Sequence, residues 1–455
     1  MIARLRISGE DGCVSQTPIK LRHLPHLRTR RLGQLGGLIR PGAHSSPLVA
    51  LGKRFVADPP GFPTMLITHE MDDVREVFTN HEDFSIGQLM SRLSSHDMVF
   101  GKETLIFLEG EDHRRERKLY SPPFQNKALK SYEELMIEVV ERELPKWPIG
   151  EPIEFLQAGY DLAIGVLLGV VFGDVAAERS GRLKDAVNAW FHEIESRGFL
   201  AVTLLTPFLG GFTPPYPPLA RAQAEVDEVI IEEITARRAA NEDGTDRKDV
   251  LTRYINTDLD QHDDAGLARS MRGILLGAYE TTAITLGWIA TMLAAHPEAM
   301  AELDAAVDSG DEARLDTYLD AVVAETMRLR PVSPFTGRIA IRDTVINGVE
   351  IPKGTIVIVP ILLIHESESL YPDPLTFRPE RFLDKRPDGH TWLTFGAGPH
   401  RCLGAQFALA EARILFRAII EKRRIDPIPG PMEPARRYHT GLSPAYNARI
   451  TLRHR

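Results

Sequence analysis

The stretch that decides the fold is Phe395-Gly396-Ala397-Gly398-Pro399-His400-Arg401-Cys402-Leu403-Gly404, just before a predicted final helix over Leu403–Arg423. A cysteine at the start of a helix receives the positive end of the helix dipole and unpaired backbone N–H groups, and both favour the thiolate. The glycines let the chain turn tightly around the sulfur and let the helix approach a flat ligand closely. Phe395 can cover the sulfur and lower the local dielectric. The stretch therefore predicts a rigidly held thiolate, Cys402, that binds a metal.

The alternative is a glycine-rich turn that contains an incidental buried cysteine. The chain has 19 Phe, 35 Gly and 2 Cys among its 455 residues. At these frequencies, the same Phe, Gly, Cys and Gly spacing arises by chance about 5 × 10⁻⁴ times per chain. The spacing therefore favours a ligand site.

The composition is that of a globular protein, with 43% hydrophobic and 26% charged residues. It shows no break along residues 1–455, so we expect a single domain. The formal charge of −9 argues against nucleic acid as a partner, because no overall basic field exists to attract phosphates. Cys13 and Cys402 are too few for an iron–sulfur cluster, which needs about four cysteines. They also make a poor disulfide framework, so we expect a reducing, cytoplasmic setting.

Two apolar stretches bear on membrane insertion. Ala163–Phe172 is shorter than the roughly 20 residues that span a bilayer. Ile274–Leu293 is long enough, but it contains Glu280 and follows Arg272, and a charge at membrane depth is costly. Met1–Gly12 has no apolar core of the kind found in a secretory signal. We therefore expect no integral membrane segment.

Hydrophobic periodicity predicts a helix-rich body followed by a small β lobe. Alternating branched residues between turn signals indicate short strands within Arg338–Val359. Residues 1–40 are polar and carry a basic run, so we expect an irregular N-terminal segment, and the absence of βαβ alternation excludes a Rossmann architecture. Expected loops are Pro207–Pro218 and Asn241–Lys248. Patterns of period 3.6 predict helices over Tyr132–Leu144, Asp161–Phe172, Leu219–Ala239, Leu267–Ala295 and Leu315–Leu329.

The Cys402 loop resembles the haem-binding signature of the cytochrome P-450 family, the haem-thiolate monooxygenases, in its soluble bacterial type. The resemblance extends from about Asp58 to the C-terminus, with further motifs in the family's order. It implies a mainly α fold with a small β lobe, in which a long central helix crosses the haem. It also implies haem b (iron protoporphyrin IX) as the cofactor, bound by Cys402 together with the loop residues Phe395, Gly396 and Gly404.

A polar group interrupts the predicted helix Leu267–Ala295 at Glu280 and Thr281. Each unpaired buried polar group costs about 1–3 kcal/mol. On its own, the pair is explained by a threonine bonded to the carbonyl one turn earlier and an acid in a salt bridge. The resemblance implies instead a catalytic pair that supplies protons while dioxygen is cleaved. Ala278 stands where the family usually has glycine, so we expect a shallower kink beside the haem.

Glu325 and Arg328 are three residues apart on a predicted helix, a spacing that alone describes a common surface ion pair. Together with Arg381 in Phe377-Arg-Pro-Glu-Arg-Phe382, they resemble the family's buried structural triad. Loss of one member would leave an uncompensated buried charge and cost about 3–5 kcal/mol.

Four further side chains are candidates for binding the two haem propionates. Read alone, each is an ordinary surface cation. The resemblance assigns to the propionates, which suit guanidinium and imidazole donors, the residues His113, Arg117, Arg338 and His400. Many family members have arginine where His400 stands, so this donor carries less charge near neutral pH.

The sequence contains no dinucleotide fingerprint and no flavin domain, so electrons are expected from a separate ferredoxin or flavodoxin. The family's fold would gather a basic patch for this partner, made of Arg114, Arg115, Lys118, Arg401, Arg413 and Arg417. The resemblance implies insertion of one atom of dioxygen into the substrate. A lipophilic small molecule is expected, because the segments expected to line the pocket (86–105, 199–212, 332–337 and 440–443) mix Leu, Phe, Val and Met with few charges. A non-catalytic haem-binding sensor or carrier would not need the proton-supplying pair. A cysteine hydrolase would need neither the triad nor the propionate donors.

Overall fold

The structure, a computed structural model, describes residues 18–27, 41–43, 46–60, 62–93, 96–101, 104–173, 175–205, 209, 212–239, 249–256, 263–385, 387–438 and 441–455. Helices make up most of these ranges. They are α1 (Met71–Thr79), α2 (Gly87–Leu93), α3 (His96–Phe100), α4 (Gly110–Tyr120), α5 (Asn126–Leu129), α6 (Glu133–Glu143), α7 (Phe155–Phe172), α8 (Ala177–Glu195), α9 (Arg197–Leu205), α10 (Pro217–Ala239), α11 (Val250–Asn256), α12 (Asp264–Ala295), α13 (Pro297–Ser309), α14 (Glu312–Leu329), α15 (Ile361–His365) and α16 (Ala405–Ile420).

The strands are short and lie mostly near the two ends of the chain. They are β1 (Ile19–Lys20), β2 (His26–Leu27), β3 (Arg54–Ala57), β4 (Met65–Thr68), β5 (Phe84–Ser85), β6 (Pro152–Glu154), β7 (Thr336–Ala340), β8 (Thr344–Ile346), β9 (Val349–Ile351), β10 (Ile356–Val359), β11 (Arg423–Ile425), β12 (Ala435–Tyr438), β13 (Gly441–Pro444) and β14 (Arg449–His454). The largest sheet has the order β2-β3-β4-β10-β7-β5, and a second sheet has the order β1-β9-β8. This mainly α architecture with a small β lobe agrees with the predicted class.

The central helix α12 is long because its sequence contains no proline before Pro297. Its N-terminus is capped by Asp263, whose carboxylate accepts a hydrogen bond from the Gly266 N–H at 2.7 Å. It packs along α7, and the two helices approach so closely that a Cβ on Gly159 would lie 2.9 Å from the carbonyl oxygen of Ala283. The C-terminal half of α12 is fully enclosed by the core. This packing fixes the position of Glu280 and Thr281 in the middle of the helix.

Helix α7 begins at Phe155, whereas the sequence pattern predicted Asp161. At 18 residues it is the one helix in the described ranges that is long and apolar enough to cross a membrane, and 67% of it is buried inside the protein. The helix begins eight residues before the Ala163–Phe172 stretch, so the argument from length does not extend to the whole of α7. Its burial is typical of a core helix, because an apolar helix covered on most sides needs no membrane.

The expectation of an irregular segment over residues 1–40 is wrong at β1 and β2. Ile19 pairs in parallel with Val349 of β9, and His26 pairs with Val56 of β3. Strands of two residues are too short to show alternation, so their partner strands and not their own sequence define them. Of the expected basic run at Arg22, Arg28, Arg30 and Arg31, Arg22 is described and the other three arginines are not. Residues 1–17 and the predicted loop Asn241–Lys248 also lie outside the described residues.

Candidate active site

The loop over residues 395–404 folds back on itself through backbone hydrogen bonds. The Cys402 N–H donates to the Phe395 carbonyl at 2.9 Å, and the Gly396 N–H donates to the Leu393 carbonyl at 2.8 Å. Gly396 and Gly398 have φ angles of +66° and +71°, which residues with a Cβ adopt only under strain. A Cβ on Gly398 would also overlap the carbonyl oxygen of Phe78. Glycine is therefore required here to form the turn.

The Cys402 sulfur lies three residues before α16, which begins at Ala405 and not at the predicted Leu403. The side chain is accessible to solvent, yet desolvation by the surrounding protein raises the pKa of the Cys402 thiol. A hydrogen bond from the Gly404 N–H and the positive charges of Arg117 and Arg401 act in the opposite direction and favour the thiolate. A bound metal cation would complete this stabilisation.

Phe395 packs edge-on against Trp392, with ring centroids 5.6 Å apart. The Arg401 guanidinium lies 6.0 Å from the centre of the Phe395 ring. The Phe395 ring, at the start of the cysteine loop, is therefore held by contacts on two sides. The role of Phe395 in shielding the sulfur stays a prediction.

Two stacked imidazoles lie beside the loop. His113 on α4 is buried, its Nε2 has no hydrogen-bond partner, and its ring centroid lies 4.0 Å from that of His400. Burial, together with the positive charges of His400 and Arg117, lowers the pKa of His113 to about 4. His400 Nε2 lies 3.0 Å from Glu109 Oε2. His113 thus presents a neutral, unsatisfied buried nitrogen, which is costly unless a ligand pairs with it.

Arg117 and Arg338 carry positive charge without an ion-paired carboxylate in the described part of the chain. Arg338 is 5% exposed and donates to the Gly337 carbonyl at 2.7 Å. Burial lowers the pKa of Arg338 to about 10. Buried cations need an anionic partner. Together with the Cys402 sulfur and the unpaired His113 nitrogen, these residues fit an iron porphyrin that carries two propionates.

The polar group of α12 faces a solvent-accessible region. The Thr281 side chain is exposed and its hydroxyl donates to the Gly277 carbonyl at 2.8 Å, which is the bond one turn back that the sequence allowed. Glu280 is partly buried. Around Ala278 the helix continues as an uninterrupted α-helix. A threonine hydroxyl held this way keeps its oxygen available as an acceptor.

Sequence reasoning missed Glu411 on α16. This carboxyl group is 2% exposed, and Thr282 donates to it at 3.4 Å. Burial raises the pKa of Glu411 to about 8, so the group is largely protonated at neutral pH. An acidic residue at an inward position of a predicted amphipathic helix was the signal that could have found it. It places a titratable carboxyl group against Thr282, the residue that follows the acid–threonine pair.

The structure brings the three triad residues together. Arg328 donates to both oxygens of Glu325, at 2.7 and 2.8 Å, and Arg381 Nε lies 3.2 Å from Glu325 Oε1. The side chains of Glu325 and Arg328 are completely buried. The contacts are those of a buried structural ion cluster.

Most of the arginines in the expected basic patch are already paired within the chain. Arg413 binds Asp316 and Asp320, and Arg417 binds Glu312, Asp316 and Glu421. Arg114 and Arg115 pair with the acids of their own helix. Lys118 and Arg401 form no ion pair within the described residues. The net positive charge of this surface is therefore smaller than the sequence suggested.

The family model for cytochrome P450 matches residues 59–450. This chain belongs to the cytochrome P-450 family. A protein named cytochrome P-450 137 from Mycobacterium tuberculosis is 30% identical over 385 residues, covering 83% of this chain and 78% of that protein. One named cytochrome P-450 138 from Mycobacterium bovis is 30% identical over 412 residues, covering 89% of this chain and 90% of that protein.

Solved P-450 structures share the fold. The haem domain of cytochrome P-450DA superimposes with a TM-score of 0.78 at 19% identity, over 97% of this chain and 99% of that one. CYP175A1 from Thermus thermophilus gives 0.71 at 20% identity, over 94% and 100%. The predicted family, fold class and haem cofactor are confirmed, and membership makes this P-450 a haem-dependent monooxygenase in general terms.

Proposed function

We propose that this P-450 inserts one atom of dioxygen into a lipophilic small molecule, with Cys402 as the thiolate ligand of its haem iron. The observation that supports this most strongly is the grouping of a sulfur, an unpaired buried imidazole nitrogen and two cations without carboxylate partners. When bound, haem supplies the activation of dioxygen for substrate oxidation.

The proposed haem-binding residues form two groups, one around the Cys402 sulfur and one that binds the two propionates. Cys402 holds the iron, and Phe395, Gly396 and Gly404 keep the sulfur shielded and the turn tight. Binding of the propionates falls to His113 Nε2, Arg117 and Arg338, which lack other anionic partners. His400 completes this set, and its bond to Glu109 orients its ring.

Proton delivery is assigned to Glu280 and Thr281 of α12 and to Glu411 of α16. The Thr281 hydroxyl donates its single hydrogen to the Gly277 carbonyl, so its oxygen is held in place as a hydrogen-bond acceptor, and release of that bond would free the hydrogen for donation. Glu280 supplies protons from the partly solvated side. Glu411, protonated near neutral pH and bonded to Thr282, is a second source. A carboxyl group with a pKa near the working pH is an effective proton donor.

The composition of the expected pocket segments indicates the class of substrate, and two cations without an ion pair among the described residues indicate where the electron donor docks. The segments expected to line the pocket mix Leu, Phe, Val and Met with few charges, which favours a lipophilic substrate. Electrons come from a ferredoxin or flavodoxin that docks at the surface of Lys118 and Arg401. The setting is cytoplasmic, which the poor disulfide framework of the chain's two cysteines favours. The chain acts as a single domain over residues 1–455.

The test replaces the sulfur. Cys402→Ser should abolish the thiolate-type spectrum of the reduced carbon monoxide complex, because a serine oxygen does not provide the same ligand. Cys13→Ser, the matched control, should leave that spectrum unchanged. An unaltered spectrum in Cys402→Ser would refute the ligand assignment.

A further inference from the structure

His365, the last residue of α15, is completely buried, and both of its ring nitrogens are hydrogen bonded. The Leu393 N–H lies 2.8 Å from Nε2 and can only donate, so Nε2 accepts. Nδ1 therefore carries the proton and donates to the Arg328 carbonyl at 3.0 Å. Burial lowers the pKa of His365 to about 3. The ring is thus held neutral in a single tautomer.

The partners of His365 connect the triad to the cysteine loop. On one side, the Arg328 guanidinium, which binds Glu325, also donates to the His365 carbonyl at 2.7 Å. On the other side, Leu393 accepts the Gly396 N–H at 2.8 Å. The next bond in the series joins the Phe395 carbonyl to the Cys402 N–H. A continuous set of hydrogen bonds therefore runs from the ion cluster to the sulfur-bearing residue.

We propose that His365 is a positioning residue for Cys402: its Nε2 holds the Leu393 N–H, and this contact sets where the cysteine loop begins. The proposal rests on the proposed role of Cys402 as the iron ligand. The Leu393 side chain is fully buried, so an unaccepted N–H at this residue would draw the loop towards water or another acceptor. Either movement changes the distance, solvation and hydrogen bonding of the sulfur. These are the properties through which a protein sets the reduction potential of its haem.

Two amide variants separate the two bonds of the ring. In His365→Gln the side-chain carbonyl can reach the place of Nε2 and keep the acceptor for Leu393. In His365→Asn the shorter amide reaches the place of Nδ1 and keeps only the donor to the Arg328 carbonyl. Tyr371→Phe is the control, because the Tyr371 ring packs edge-on to His365 at 6.3 Å without bonding to either nitrogen.

The measurements use the haem-loaded protein and its haem-free form. In haem-loaded His365→Asn, the carbon monoxide complex should convert from the thiolate-type to the thiol-type spectrum about tenfold faster than in the unmodified protein. Its reduction potential should also shift to more positive values. His365→Gln and Tyr371→Phe should stay close to the unmodified protein. In the haem-free form, amide hydrogen exchange at Leu393 and Gly396 should be faster in His365→Asn alone.

Failure of the positioning role of His365 and failure of Cys402 as the iron ligand would give different results. If the unmodified protein shows the thiolate-type spectrum and His365→Asn matches it in potential and conversion rate, His365 does not position the loop. Equal disturbance in the Asn and Gln variants would also overturn the proposal, since the acceptor would then not matter. If the Asn variant takes up no haem, equal amide exchange at Leu393 in the two haem-free variants overturns it. Absence of the thiolate-type spectrum from the unmodified protein refutes the role of Cys402 itself.

Discussion

Two buried carboxyl groups in this P-450 are stabilised in opposite ways. Glu325 lies between two guanidinium groups and receives four hydrogen bonds, including one from the Arg378 N–H at 3.0 Å. Glu411 has no cation beside it among the described residues and receives one long bond from Thr282. Glu325 is therefore surrounded by the donors and cations that compensate a buried carboxylate, whereas the raised pKa of Glu411 suits that group to exchange a proton near neutral pH.

The raised pKa of Glu411 predicts a specific pH dependence of stability. Between the ordinary value of 4.5 and the folded value of about 8, the folded protein keeps a proton that the unfolded chain releases. The free energy of unfolding therefore falls as pH rises through this window, by at most about 1.4 kcal/mol per pH unit. Glu411→Gln should lose less stability than the unmodified protein between about pH 5 and 8, measured by urea unfolding. Parallel curves for the two proteins would contradict this assignment.

The charge of Glu325 predicts a large cost on neutralisation. Glu325→Gln leaves Arg328 and Arg381 without their anion, and the free energy of unfolding should drop by about 3–5 kcal/mol. The control is Glu302→Gln, because Glu302 forms an ion pair with Arg314 in which both side chains are about half exposed. That change should cost about 1 kcal/mol or less. Similar losses in both variants, in denaturant titrations, would show that the triad does not stabilise the core as argued.

Individual residues were predictable where a motif repeats a known spacing, and unpredictable where a role arises from packing. Cys402, His113 and Arg338 are distant in sequence, yet the resemblance named them and the structure places them around one site. Glu411 and His365 could not be assigned, because their properties depend on complete burial. Sequence alone does not show which face of a helix is enclosed by later parts of the chain.

At the scale of elements, the contact between α7 and α12 depends on small residues. Gly159 lets the backbones approach, so that a methyl group there would press on the Ala283 carbonyl. The glycine is therefore a packing requirement, even though glycine weakens a helix by about 1 kcal/mol relative to alanine.

This contact predicts opposite effects for two helical glycines. Gly159→Ala should lower the free energy of unfolding by about 1–3 kcal/mol, because neither backbone can yield without a shift of the helices. Gly181→Ala on α8 should raise it by about 0.5–1 kcal/mol, because its Cβ would meet nothing within 4 Å. Thermal and urea unfolding of both variants test this. Stabilisation by both substitutions would show that the interhelical approach is loose.

Helix existence was predictable and helix ends were not. The apolar pattern of α7 predicted its C-terminus at Phe172, but its first turn starts at Phe155, six residues before the predicted start. The last helix stops at Ile420, and the predicted end, Arg423, belongs to β11 instead. In both cases, pairing or packing with distant residues decides the boundary, which local periodicity does not encode.

At the scale of the whole molecule, charge is balanced locally. The chain is acidic overall, and the partly exposed arginines of α16, Arg413 and Arg417, are held by carboxylates of α14. A docking partner therefore meets few unpaired positive groups, and those few dominate its electrostatic attraction.

This balance predicts which cation affects electron delivery. At low ionic strength, Lys118→Ala should slow reduction by an acidic ferredoxin several-fold, whereas Arg413→Ala should change it little, because Arg413 already binds two aspartates. The rates of all proteins should converge near 1 M salt, where the screening length is about 3 Å. Stopped-flow reduction under carbon monoxide gives the rates. Reduction that is independent of salt would argue against docking at this surface.

The pairing of β1 with β9 and of β2 with β3 has a consequence for shortened versions of the protein. Each of these two-residue strands covers the outer rim of a sheet, where backbone N–H and C=O groups would otherwise face solvent. A version that starts at Arg54 would uncover both rims and invite strand-to-strand association between molecules. Versions made for crystallisation should therefore keep the chain from Pro18 onward.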